Sequence, residues 1–119
     1  MAGVLVVDDS PIARRNLKAI LIKGGHQVVA EASNGQEAFV KYGIYKPDLI
    51  TMDISMPRVG GIEGIKNILN RYPEAKIIMI TALDQKNMVF SAIEEGAKHY
   101  ILKPYPEEKV LEVVQQVLG

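Results

Sequence analysis

The sequence contains no cysteine. A disulfide framework and a thiolate zinc site are therefore both excluded, and the absence suits a reducing compartment. Net charge is missing as well. Fourteen basic and fourteen acidic residues cancel, so no global field draws the chain to nucleic acid or to a membrane surface. No apolar run approaches the roughly 20 residues that a membrane-spanning helix needs. Met1-Ala2-Gly3-Val4 has no basic region and only a short apolar run before Asp8, which is not a secretory signal. Repeats, low-complexity tracts and linkers are absent too. What remains is a 119-residue chain, residues 1–119, expected to form one domain. A chain of this length buries about two-thirds of its unfolded surface, enough for a core without staples. It is expected to be cytoplasmic, with no membrane insertion and no direct contact with nucleic acid.

Val4-Leu5-Val6-Val7 is short, continuous and β-branched, and Asp8-Asp9 bounds it, so it reads as a strand buried on both faces. Ser10-Pro11 opens a helix with Ser10 as cap. Ala13, Leu17, Ile20 and Leu21 follow at helical spacing, and Gly24-Gly25 ends it. Gln27 to Ala32 alternates more and reads as an edge strand. Asn34-Gly35-Gln36-Glu37 has capping-box spacing and starts a helix that runs to about Tyr45, with Pro47 closing the linker. Leu49 to Met52 is a third strand, with Asp53 at its end. Met56-Pro57 and Gly60-Gly61 form a loop. Ile65, Ile68, Leu69 and Tyr72 make one helical face, and Pro73 stops it.

Lys76 to Thr81 is a fourth, buried strand. On the next helix Val89, Ala92 and Ile93 are assigned to the inner face, and Gly96 ends it. Met88 and Phe90 then cannot both face the core, and one is expected on the surface as a modest partner contact. Tyr100-Ile101-Leu102 is a short fifth strand, ending in Lys103-Pro104. Val110, Val113, Val114, Val117 and Leu118 lie on one face of a last helix. Five strand–helix units with short connections imply an α/β fold: a doubly wound, five-stranded parallel sheet with helices on both faces. The expected order is 2-1-3-4-5, that of flavodoxin-like folds.

In such sheets ligands bind outside the carboxyl ends of the strands, where the order switches between strands one and three. Asp8 and Asp9 follow strand one, Asp53 strand three, Thr81 strand four and Lys103 strand five. All five converge on one end. Three neighbouring carboxylates repel, so either a pKa rises or a cation neutralises them. An all-oxygen cluster without His or Cys favours a hard ion such as Mg²⁺. A nucleophilic carboxylate beside such an ion is one route to an aspartyl phosphate. Lys103 offers a cation to a phosphoryl oxygen, and Thr81 a neutral donor. Taken singly, each residue has an ordinary use: Asp8 or Asp9 as a helix cap, Thr81 as a strand former, Lys103 as a surface cation. The constellation is the specific signal.

This pattern resembles the receiver domain of two-component response regulators, most closely the stand-alone chemotaxis-regulator (CheY) type. The resemblance spans the chain and is carried by Val7-Asp8-Asp9-Ser10, Asp53-Ile54-Ser55-Met56-Pro57, Thr81-Ala82, Gly96-Ala97 and Lys103-Pro104. It implies that Asp53 accepts a phosphoryl group from a sensor histidine kinase. It further implies that Asp9, Asp53 and the Ser55 backbone carbonyl bind Mg²⁺ directly, with Asp8 acting through metal-bound water. Lys103 would pair with the phosphoryl group, and the Lys103–Pro104 bond would be cis. Thr81 would move toward the phosphoryl oxygen on activation. Tyr100 would swing inward behind it, changing the face made by helix four, strand five and helix five. The chain would then be no enzyme beyond its own phosphorylation and dephosphorylation. No effector domain is expected after Leu118-Gly119, and output would then pass through a protein partner, a motor switch or a phosphorelay protein.

Five other readings compete. The chain could be a phosphorelay intermediate or the excised receiver of a larger regulator. It could be a haloacid-dehalogenase-like phosphohydrolase, but those carry a second aspartate two positions after the nucleophile, and Ser55 stands there. A flavin carrier would need a Ser/Thr/Gly-rich phosphate loop after strand one. A pseudo-receiver would not keep the acidic set. In the resemblance, Ser55 and Leu83 flank the path of the hydrolytic water, and the Arg58-Val59-Gly60-Gly61 loop lacks the acidic or amide residue often found before the glycine. An apolar Leu83 hinders that water, so Leu83→Glu or Leu83→Asn should speed loss of the phosphoryl group. A hydrolysis time course with equal rates would remove this expectation.

Overall fold

A computed structural model describes residues 2–54, 60–82 and 86–119, with the Lys86 side chain excepted. Ser55, the Met56-Pro57 turn, Arg58-Val59 and Leu83 lie outside the described residues.

Five strands and five helices alternate along the chain. They are β1 (Gly3–Val7), α1 (Pro11–Lys23), β2 (Gln27–Ala32), α2 (Gly35–Tyr45) and β3 (Leu49–Asp53), then α3 (Gly61–Arg71), β4 (Ile77–Ala82), α4 (Lys86–Glu94), β5 (His99–Lys103) and α5 (Glu107–Leu118). The strands form one sheet in the order β2-β1-β3-β4-β5, and every pairing is parallel. This is the doubly wound, flavodoxin-like order expected from the alternation. Between β1 and β2 the register slips, from Val4 opposite Val28 to Leu5 opposite Ala30.

The pleat divides the core into two layers. Leu5, Val7, Ile50, Met52, Ile77 and Met79 face one side and pack with Ala38, Tyr42, Ile65, Ile68 and Ala92 from α2, α3 and α4. Val4, Val6, Leu49, Ile78, Ile80 and Ile101 face the other and pack with Leu17, Leu21, Val110, Val113 and Val114 from α1 and α5. Alternate residues therefore serve opposite layers, as the period of two in a strand requires. Being covered on both faces is why β1, β3 and β4 read as continuous apolar runs rather than alternating ones. All five residues of β3 are buried, Asp53 included.

Local chemistry sets the helix ends. The Ser10 hydroxyl accepts from the Ala13 N–H at 3.2 Å, with Pro11 at the first helical position. Asn34 accepts from the Glu37 N–H at 2.8 Å. The Glu37 carboxylate reaches back one residue further than the capping box places it, to the Ser33 N–H (3.1 Å) and hydroxyl (2.8 Å). α2 stops at Lys46, which takes a left-handed backbone with φ 45°.

The inner face of α4 corrects one assignment. Ala92 is buried, and Val89 and Met88 pack against the core, but Ile93 is 44% exposed and Phe90 71% exposed. Residues 88, 89 and 92 centre the buried stripe slightly earlier than 89, 92 and 93 would. At about 100° per residue that turns Ile93 out.

The Ser33 hydrogen bonds hold the Glu37 carboxyl below the usual glutamate range. A lowered folded pKa contributes stability above the unfolded value and loses it as pH falls. Glu37→Ala should therefore destabilise by about 1 kcal/mol at neutral pH. The gap from the parent should close as pH drops through and below the ordinary glutamate range, as measured by denaturant melts across pH.

Candidate phosphoacceptor site

Four of the five strands, β1, β3, β4 and β5, deliver polar groups to the carboxyl end of the sheet. Asp8 directly follows β1, and Asp53 ends β3. Thr81 is the penultimate residue of β4, and Lys103 ends β5. Asp8, Asp53 and Thr81 are buried, whereas Asp9 is exposed. Lys103 Nζ donates to Asp53 Oδ2 at 2.9 Å and stands 3.6 Å from Asp8 Oδ2. Asp8 Oδ1 accepts from the Ser10 N–H at 2.9 Å. The Thr81 hydroxyl donates to the Ala82 carbonyl at 3.3 Å. The Lys103–Pro104 peptide bond is cis.

Among the described residues, Asp8, Asp9 and Asp53 form a cluster in which one carboxylate oxygen from each lies within 4.8 Å of the other two. Lys103 offsets one of the three negative charges. Burial is the main force raising the Asp8 pKa, and the Asp53 charge adds to it. The Ser10 N–H and the Lys103 ammonium pull the other way. For Lys103 burial favours the neutral amine, but the hydrogen bond to Asp53 and the charges of Asp53 and Asp8 outweigh it, so its pKa is raised. The ammonium therefore stays protonated, and the pocket keeps an uncompensated negative field. Hard oxygen donors with no His or Cys among them suit a cation such as Mg²⁺.

Tyr100 lies apart from this cluster. It sits on the edge strand β5, 40% exposed, with its ring 5.8 Å from that of His99. Beside Lys103 a groove of about 560 Å³ runs between α1 and the β5–α5 connection, lined by Ala13, Asn16, Ile20, Pro104 and Tyr105. Burial raises the Tyr105 pKa, so its phenol stays protonated.

Two supporting residues have little sequence signal of their own. Gly61, read as part of a loop, is the buried first residue of α3. A Cβ there would stand 2.5 Å from the Asp53 carbonyl oxygen and closer still to Ile54 Cα. The helix thus rests directly on the Asp53–Ile54 backbone. A Gly-Gly pair ahead of a helical pattern is its only trace in the sequence. The second is Arg14, whose guanidinium donates to the Asp8 carbonyl oxygen at 2.6 Å.

The fold and the site define a class: a doubly wound domain with a carboxylate cluster and a paired lysine at the sheet's switch point. Comparison with known proteins gives the family. Residues 4–115 match the response regulator receiver domain. The chain is 47% identical over 114 residues to the chemotaxis protein CheY of Thermotoga maritima, covering 96% of this chain and 95% of that protein. It is 46% identical to the CheY of Bacillus subtilis, over 98% of this chain and 97% of that one. Among solved structures, the CheX–CheY–BeF₃–Mg²⁺ complex of Borrelia burgdorferi superposes with a TM-score of 0.93 at 36% identity, covering 98% of this chain and 89% of that one. This chain belongs to the response regulator receiver family and is a two-component signalling domain. No helix among its described residues is long and apolar enough to cross a membrane.

Gly61→Ala should push the Asp53–Ile54 backbone out of place. Overpacking of this kind costs about 1–3 kcal/mol. Thermal unfolding should show that loss, and the folded variant should take up a phosphoryl group more slowly than the parent. Unchanged stability would mean that α3 moves away freely.

Proposed function

We propose that Asp53 is the phosphoacceptor of a stand-alone, chemotaxis-type regulator, and that its phosphorylation resets a partner-binding face. One observation carries the reading. Asp53 is buried at a strand end, yet its carboxylate is held at 2.9 Å by Lys103 and lies within 4.8 Å of two other carboxylates. A buried carboxylate needs a partner, and one that is also crowded by like charges is built for work rather than for stability.

Asp9 and Asp53, with the Ser55 carbonyl, would hold Mg²⁺, and Asp8 would act through water; Mg²⁺ in the Borrelia relative supports that choice. When bound, the ion offsets the negative charge of the acids and of the incoming phosphoryl oxygens. An Asp53 oxygen attacks phosphorus as the bond to the kinase histidine nitrogen breaks. Lys103, already on Asp53 Oδ2, pairs with a phosphoryl oxygen. The Thr81 hydroxyl turns from the Ala82 carbonyl to a second one. Tyr100 then moves from its exposed position toward the space behind Thr81, which alters the face of α4, β5 and α5. Exposed Phe90, Ile93 and Tyr100 supply that face with apolar contacts. Catalysis extends no further than the domain's own phosphoryl group. The donor is a sensor histidine kinase, and the reader is a motor-switch or phosphorelay protein.

Incubation with acetyl phosphate and Mg²⁺ should give a phosphoryl adduct by intact mass, absent in Asp53→Asn. Thr81→Ala should still take the adduct but lose about tenfold of the phosphorylation-dependent gain in partner affinity, the worth of one charge-assisted hydrogen bond. No adduct on the parent protein would defeat the reading.

A further inference from the structure

We propose that Arg14 is a positioning residue for the metal-binding acids, acting through the Asp8–Asp9 peptide; this rests on reading the cluster as a Mg²⁺ site. Arg14 lies in the first turn of α1 and is mostly buried, with a side chain 19% exposed. Its Nη1 donates to the Asp8 carbonyl oxygen at 2.6 Å, and its Nε donates to Glu31 Oε1 at 3.2 Å. Glu31 is held in turn by Lys18 at 3.5 Å, and the Lys41 ammonium donates to the Glu31 carbonyl. The guanidinium therefore spans from the edge strand β2 to the end of β1.

The atom it holds matters. The Asp8 carbonyl belongs to the planar peptide that joins Asp8 to Asp9. Both acids project from the ends of that plane. Asp8 has further restraints: its N–H donates to the Ala32 carbonyl at 3.0 Å, and its Oδ1 accepts from the Ser10 N–H. Asp9 is exposed and lacks that packing, so its direction depends on the rotation of the peptide behind it. Arg14 fixes that rotation. A planar fork reaching two acceptors at once does this, and a flexible ammonium does not.

The sign of the effect separates positioning from charge. A guanidinium near a cation site repels the cation, so by Coulomb attraction and repulsion alone its removal should tighten Mg²⁺ binding. Positioning predicts the reverse. Loss of a group that orients a metal ligand commonly weakens affinity by roughly 10–100-fold.

The test is Mg²⁺ titration of the metal-free full chain by calorimetry, with ¹⁵N amide spectra alongside. Arg14→Gln should bind Mg²⁺ about tenfold or more weakly and shift the Asp9 amide resonance before any metal is added. Arg14→Lys, which keeps the charge but cannot span both acceptors, should recover only part of the affinity. Glu31→Asp keeps every charge and shortens the anchor, so it should weaken binding several-fold, and it carries the test if Arg14→Gln does not fold. Unchanged or tighter Mg²⁺ binding in Arg14→Gln, or in Glu31→Asp should that variant be needed, overturns the positioning role and leaves the metal site standing. Absence of Mg²⁺ binding in the parent protein overturns both.

Discussion

Everything at the carboxyl end of this sheet depends on the crowding of three carboxylates around one lysine. Lys103 Nζ is 2.9 Å from Asp53 and 3.6 Å from Asp8, while the three acids approach one another within 4.8 Å. Such an arrangement is poor for stability. Burying like charges costs free energy, and one lysine shared between Asp53 and Asp8 does not cancel it. The fold holds the arrangement because the sheet beneath is strong: β1, β3 and β4 are packed on both faces, and each strand end is pinned by its neighbours. Stability sits in the two apolar layers, and strain sits at the pole they support.

The topology explains why these residues meet. Reversal of strand direction of growth between β1 and β3 opens the crevice, and adjacent connections diverge to opposite faces there. Asp8 and Asp53 come from neighbouring strands, so their approach follows from the β1–β3 pairing of Val7 with Met52. Lys103 comes from the far edge. It reaches Asp53 across β4 because a lysine stem is long and can lie along apolar surface while its head stays polar. A short cation on β5 would not serve the same acid.

Much of this was legible in the chain. Continuous β-branched runs gave the buried strands, their alternation with helical patterns gave the order, and the order alone gathered Asp8, Asp9, Asp53, Thr81 and Lys103. What escaped has a common cause. Gly61 matters through backbone contact with Asp53 and Ile54, and Arg14 through a backbone carbonyl of Asp8. Neither contact leaves a periodic trace, since each joins one side chain position to main chain at a distance set by tertiary packing. Ile93 turns outward for a related reason. Helix α4 carries Met88, Val89, Phe90, Ala92 and Ile93 in close succession, so apolarity runs most of the way round it, and only the packing against the sheet decides which residues turn inward.

The same crowding bears on switching. Moving a two-state equilibrium from rare to dominant takes roughly 5.5 kcal/mol of differential interaction. Charge-assisted hydrogen bonds contribute about 1.5–3 kcal/mol each, so two or three new ones suffice. Lys103 by itself would supply less than this, because it already holds Asp53 and any new bond to a phosphoryl oxygen partly replaces an old one. The surplus has to come from groups whose partners in this state are weaker. In the proposed switch, Thr81 would exchange its 3.3 Å contact with the Ala82 carbonyl for a charge-assisted bond to a phosphoryl oxygen. In that reading Lys103 would hold charge in place in both states. The change would pass from β4 to the exposed Tyr100 of β5, two strands paired through Met79 opposite Tyr100 and Thr81 opposite Leu102.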